Sequence, residues 1–191
     1  MKSPYDLLLG HQRPYHDDKS RFKAWIAARQ IGKSFTSAAE PVGNCYKYDL
    51  RGEKIDWVTL SAGERQALEW LDKAKRWTEV FKMSIADIRV ERDGGSEARL
   101  KAATILWRNG SRVIALPANP NTARGYSANV TLDEFAFHED PDAIWRAVYP
   151  IITNPLKGEL KMRVMSSPNG QGNKFHPVSY THLTLPTIYS V

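Results

Sequence analysis

Hydrophobic and polar positions change period several times along the chain, and each change marks an element. In "RFKAWIAA", Arg21 to Ala28, polar and apolar residues alternate and then turn apolar, which predicts a strand running straight into the Gly-Lys-Ser turn at 32–34. The stretch "KSFTSAAE" that follows predicts a short helix ended or kinked by Pro41, because proline lacks the N–H that a helix interior needs. A second strand is expected in "KIDWVTL", Lys54 to Leu60, stopped by Ser61, which with Glu64 spells the S-x-x-E capping box of a new helix. That helix, about 62–81, carries Ala67, Leu71, Ala74, Trp77 and Phe81 at spacings of three and four, one apolar face laid on a sheet. Trp70 and Trp77 are therefore read as packing residues and not as stacking platforms for bases.

The second half continues the alternation. A charged loop beginning at Glu91 precedes a hairpin of "ATILW", a turn at "RNGS" and "RVIALP". After the Pro/Asn-rich loop "NPNTARGYS" comes "ANVTLDEFAF", an apolar strand ending in paired carboxylates. "EDPDAIWRAVYP" predicts a helix with Asp140 at the N-cap and Pro141 at the first position, which also accounts for the acidic run "HEDPD" without a metal. A last strand, "LKMRVMSS", leads into "PNGQGNKFH". Short apolar runs alternating with amphipathic stretches predict an α/β domain over residues 1–176: a mostly parallel, twisted sheet with helices on both faces and a ligand site at the strand ends.

Composition narrows the picture. A chain of 191 residues holds one α/β domain with a sizeable core, and 42% hydrophobic with 25% charged residues is ordinary for a globular protein. No run approaches the roughly 20 apolar residues of a membrane span, and the first residues break too early for a signal peptide, so a cytoplasmic protein is expected. The single cysteine, Cys45, excludes an internal disulfide and reads as a small buried side chain. A net charge of +6 and a pI near 9.4 favour polyanionic partners such as nucleic acid, although the basic residues form no block. The last fifteen residues, 177–191, contain no Lys, Arg, Asp or Glu and read as a non-native tail, similar to translated adaptor sequence.

The chemistry rests on two short stretches. Hydrolysis of a nucleoside triphosphate needs backbone N–H groups at a helix N-terminus, a lysine for the β- and γ-phosphates and a hydroxyl for Mg²⁺. Gly32, Lys33 and Ser34 supply these in order, between a predicted strand and a predicted helix. The opening glycine of G-x-x-x-x-G-K-[ST] is replaced by Ala27, the least costly departure while its φ stays negative. A second, acidic pair is needed at another strand end. In "VTLDE", Asp133 suits Mg²⁺ and Glu134 suits the attacking water, since adjacent residues there point in different directions. No nucleophile elbow G-x-S-x-G is present, so a hydrolase triad finds no support.

The loop "A-x-R-Q-x-G-K-S" resembles the divergent Walker A of phage terminase large subunits, the ATPases that pump DNA into capsids. The likeness runs from about Leu7 to His176, with the motifs in the family order, and extends to the Mu-like prophage terminases. "LLLGHQRPYHDD" resembles the upstream segment whose glutamine, here Gln12, reads adenine. "TARGYSANVTLDEFAF" resembles the segment running into Walker B, and "MRVMSSPNGQGNKFH" the Ser/Thr-rich coupling motif with Ser166 and Ser167. The resemblance implies a P-loop NTPase of the RecA/ASCE type that hydrolyses ATP with Mg²⁺. Gln12, Gln30, Gly32, Lys33 and Ser34 would bind ATP, Ser34 and Asp133 the metal, and Glu134 would be the catalytic base. Arg29 would stabilise the transferring phosphoryl group, with Arg124 as the competing arginine. It further implies double-stranded DNA, a portal protein and a small terminase subunit as partners, and a homo-oligomeric ring. Family members carry a C-terminal nuclease domain, and this chain is expected to end before one. The alternatives are a helicase-like ATPase of the same core and a basic nucleic-acid-binding module with a vestigial ATP site.

Overall fold

Strands buried on both faces read as continuous apolar runs instead of alternating ones. In the computed structural model, which describes residues 3–93, 99–153 and 158–181, β2 (Asp56–Ser61) is such a strand, buried from Trp57 to Ser61. It lies in a seven-stranded sheet with β1 (Phe22–Ile26), β3 (Ile85–Arg92), β4 (Leu100–Trp107), β5 (Arg112–Pro117), β6 (Asn129–Leu132) and β7 (Met162–Ser166), in the order β1-β7-β6-β2-β5-β4-β3. Neighbours from β1 to β5 pair in parallel, while β4 pairs antiparallel with both β5 and β3. The mostly parallel sheet expected from the sequence is thus present, extended by a hairpin at one edge.

Helices cover both faces. On one lie α2 (Lys33–Asp49) and α3 (Glu64–Val80), whose Ala38, Val42, Trp70 and Trp77 pack with Trp57, Val113 and Ala115 of the sheet. On the other, Ile144 and Val148 of α5 (Pro141–Thr153) and Phe175 of α6 (Phe175–Thr181) pack with Val58, Leu60, Val130, Leu132 and Val164. Shorter pieces complete the chain: a 3₁₀ turn at Pro4–Leu7, α1 (Arg13–Asp17) and α4 (Pro120–Ala123). Residues 177–181 finish α6, with Val178 buried in the second cluster, and 182–191, most of the tail singled out above, lie outside the described residues.

Several sequence expectations need correction. The helix after the phosphate loop does not end at Pro41 but runs through it to Asp49. The missing N–H costs about 3 kcal/mol, which is offset because Val42 and Cys45 beyond it are fully buried in the core. Ser61 does not cap α3: it is the last residue of β2, paired with Pro117, and Gly63 takes the N-cap position without a side-chain bond. The Glu64 carboxylate is drawn elsewhere, accepting from the Leu100 N–H at 2.8 Å and pairing with Arg92. The charged loop expected from Glu91 starts later, since Glu91 and Arg92 close the edge strand β3, a strand over Ile85–Arg92 that was not expected and that leaves Ile88 and Val90 exposed. An edge strand with a solvated face carries charge freely, which hid it. The hairpin and the Asp140 cap are as expected; Asp140 accepts from the Ala143 N–H at 2.8 Å. The apolar face of α3 is buried as read, and the indole N–H groups of Trp70 and Trp77 donate to Ser37 Oγ and the Phe35 carbonyl, locking α3 onto the start of α2.

Candidate functional site

Three adjacent strands, β1, β7 and β6, end on the same side of the sheet, and each delivers one part of the site. The loop after β1 turns through two left-handed residues, Gln30 (φ 63°) and Gly32 (φ 84°), and enters α2 at Lys33. Ala27 does not have a positive φ, so a methyl is tolerated where the motif usually has glycine; it is buried among Tyr15, Trp25 and Met165. Gly32 has no such latitude, because its φ of 84° is one that residues with a side chain rarely adopt. Gln12 is buried behind the loop, donating to the Ile31 carbonyl at 2.9 Å and accepting from the Leu9 N–H at 3.0 Å.

The Lys33 ammonium is only 4% exposed and is held by the Ala28 carbonyl (2.8 Å), Ser167 Oγ (2.8 Å) and the Glu134 carboxylate (3.2 Å). Ser34 donates its hydroxyl to both carboxylate oxygens of Asp133, at 3.1 and 3.2 Å. A hydroxyl and a carboxylate side by side at the start of a helix are hard oxygen donors of the kind Mg²⁺ takes in such sites, so the residues present fit that ion.

Asp133 follows β6 and is 3% exposed. Burial, then the neighbouring Glu134 charge, push its carboxyl up to about 6, with Ser34, Lys73 and Lys33 opposing. Its main-chain carbonyl accepts from the His138 Nε2–H at 3.0 Å, a support the sequence did not reveal. Glu134 sits in the left-handed region (φ 50°, ψ 45°), and this reversal, more than simple strand alternation, sends the two carboxylates to different partners. A non-glycine residue there costs about 1–2 kcal/mol. The conformation is held from the side chain, where Glu134 Oε2 accepts from the Ser167 N–H at 3.0 Å and Ser166 Oγ lies at 3.4 Å. Ser166 in turn accepts from the Ala136 N–H, and its carbonyl accepts from the Ala27 N–H. Ser166, the last residue of β7, and Ser167 after it therefore touch the acid, and Ser167 also holds the lysine.

The two arginines lie apart from this cluster. Arg29 is exposed, its guanidinium 5.3 Å from the centre of the Phe137 ring, and Arg124 is exposed at the end of α4. Gln30 lines the cleft of about 300 Å³ that opens between the loop, Glu134 and α3. Lys73 of α3 lines it too and was missed. The signal was present, for Lys73 interrupts the apolar stripe between Trp70 and Trp77.

A buried carboxylate held above its ordinary range opposes folding once ionised. Asp133→Asn is therefore expected to raise stability. The gain should be small below pH 4, where Asp133 is protonated folded or unfolded. It should grow as pH rises through about 6 and level off near 2–3 kcal/mol. Urea unfolding of both proteins at pH 4, 5.5 and 7.5 checks this.

Comparison with known proteins agrees with the geometry. Residues 25–184 match the family described as "Terminase large subunit, T4likevirus-type, N-terminal". The chain is 27% identical over 173 residues to the Mu-like prophage FluMu protein gp28 of Haemophilus influenzae, covering 91% of this chain and 33% of that protein. It is 26% identical over 174 residues to "Probable terminase, large subunit gp28" of Escherichia phage Mu, covering 89% and 31%. It thus spans about a third of the length of these relatives. Among solved structures, the large terminase ATPase domain of a Thermus phage superposes with a TM-score of 0.60 at 20% identity, over 85% of this chain and 66% of that one. The large terminase of bacteriophage HK97 superposes with the same TM-score at 14% identity, over 87% and 34%. The fold is shared with these large terminase structures, with β7 between the strand of the phosphate loop and the strand of the carboxylates. The match over most of the chain and the convergence of its motifs on one cleft lead to one conclusion: this protein belongs to the terminase large subunit family, matching its N-terminal part.

Proposed function

We propose that the cleft binds and hydrolyses ATP with Mg²⁺, and that the chain is the motor domain of a phage terminase large subunit, coupling hydrolysis to translocation of double-stranded DNA into a capsid. The observation that carries this reading is the convergence of Lys33, Ser34, Asp133 and Glu134 from two strand ends within hydrogen-bonding reach of one another.

Lys33, with the N–H groups at the start of α2, would hold the β- and γ-phosphates. Ser34 and Asp133 would hold Mg²⁺, which when bound draws charge from the phosphate oxygens. Glu134 would orient the attacking water and take its proton. Lys33 and Glu134 neutralise each other in this structure, so phosphates that draw Lys33 away leave the carboxylate free to act as a base. The same exchange changes the contacts of Ser167, bonded to both, and the segment after β7 would thereby pass the nucleotide state to the part that grips DNA. Gln12 keeps one amide N–H and one carbonyl lone pair beyond its two bonds, the pair of groups an adenine edge takes. Gln30 would flank the phosphates, and Arg29 or Arg124 would supply charge to the transferring phosphoryl group. A net charge of +6 suits the DNA partner. The portal protein, the small terminase subunit and a homo-oligomeric ring in the host cytoplasm belong to the same reading.

Steady-state hydrolysis with and without double-stranded DNA tests it. Mg²⁺-dependent turnover that rises with DNA and vanishes in Lys33→Ala is the expected result. Salt-sensitive DNA binding with no nucleotide effect would replace the motor by a basic nucleic-acid-binding module.

A further inference from the structure

We infer that Lys73 is a second phosphate-binding lysine of the cleft and the residue that distinguishes a nucleoside triphosphate from a diphosphate, an inference that rests on the nucleotide reading above. Lys73 lies three residues after Trp70 and four before Trp77, so all three share one face of α3. The two tryptophans bond to Ser37 and Phe35 in the first turns of α2, and the face between them is thereby aimed at the phosphate loop. Lys73 is half-buried and lines the cleft beside Ser34 and Glu134.

The other cations nearby are engaged elsewhere. Lys33 is surrounded by carbonyls, Ser167 and Glu134, and Arg29 lies over Phe137. On α3 itself, Arg65 and Lys75 pair with Glu69 and Asp72. Lys73, by contrast, has no hydrogen bond or ion pair among the described residues. An ammonium that no side chain holds in place is available to a ligand, and the anion that fits a cleft between the phosphate loop and α3 is a phosphate. Lys73 lines the same cleft as Ser34 and Glu134, the groups assigned above to the metal and the attacking water, and so stands at the end of the terminal phosphate. A diphosphate, held by Lys33 and the start of α2, would not need it.

Equilibrium titration of the full chain with ADP and with a non-hydrolysable ATP analogue, both with Mg²⁺, tests the assignment without relying on turnover. Wild type is expected to bind both. Lys73→Ala is expected to weaken the analogue by about tenfold or more, the effect of losing one charge-assisted contact, and to leave ADP within about twofold. Lys73→Arg should restore most of the difference. Equal losses for the two nucleotides, or none, would overturn the inference while leaving the nucleotide site standing. A wild type that binds neither nucleotide would overturn both.

Discussion

Glu134→Gln should leave Mg²⁺-ATP binding in place and lower turnover by about 10²- to 10⁴-fold, the usual contribution of a positioned general base. The substitution keeps the shape of the side chain, and its amide oxygen can still accept from the Ser167 N–H that Glu134 now engages at 3.0 Å. What it removes is the negative charge, and with it the capacity to take a proton from water. It also releases Lys33, which Glu134 holds at 3.2 Å, so nucleotide affinity should stay the same or rise. Single-turnover hydrolysis beside equilibrium binding separates the two effects. Unchanged turnover would mean that another group is the base. Loss of binding would mean that Glu134 shapes the loop instead of serving the reaction.

The second large effect lies behind the site. Glu40 of α2 accepts a two-pronged bond from Arg163 of β7, both contacts at 2.7 Å, and pairs with Lys23 of β1 at 3.1 Å. Lys23 and Arg163 are almost wholly buried, and Lys23 also donates to the Tyr15 and Asp18 carbonyls. The triad ties together the strand before the phosphate loop, the strand that ends in Ser166 and the helix that begins at Lys33. Glu40→Ala would leave two buried cations without their anion, and it is expected to destabilise the fold by about 3–5 kcal/mol. Urea unfolding at pH 7 checks the figure, and a change under 1 kcal/mol would show that water reaches the cluster.

Acid should act on the same network with a defined sign. Burial alone would raise the Glu40 carboxyl, but Arg163 and Lys23 more than offset it and hold it at about 2, against 4.5 ordinarily. Its contribution is therefore complete above about pH 4.5 and lost as pH falls toward 2. Lys23 works the other way. Burial lowers it to about 8 despite Glu40, so its charging costs stability below that pH, and the cost fades as pH climbs from 8 toward 10.5.

Much of this architecture could be read from residue order, because the features involved are local. The strand into Gly32, the hairpin at 108–111, the Asp140 cap and the apolar face of α3 each depend on a few neighbouring side chains. The misreadings arose where a distant partner decides the outcome. Pro41 stays helical because of what Val42 and Cys45 bury against. Glu64 abandons its own helix start for Leu100, thirty-six residues away. Strand β3 forms because β4 offers it an edge, not because its own residues demand burial. At the site, types and order marked Lys33, Ser34, Asp133 and Glu134, but the left-handed turn at Glu134 and the placing of Lys73 beside the phosphate loop emerge only when the chain is folded.

If the cleft holds a nucleoside triphosphate on Lys33 and its helix, equilibrium binding of Mg²⁺-ATP to the wild type and to Lys33→Ala will separate the two proteins. Saturable binding that depends on Mg²⁺ and weakens at least a hundredfold in the variant, a loss of about 2.7 kcal/mol, is expected. Equal affinity in the two proteins, or no binding by the wild type, would contradict it.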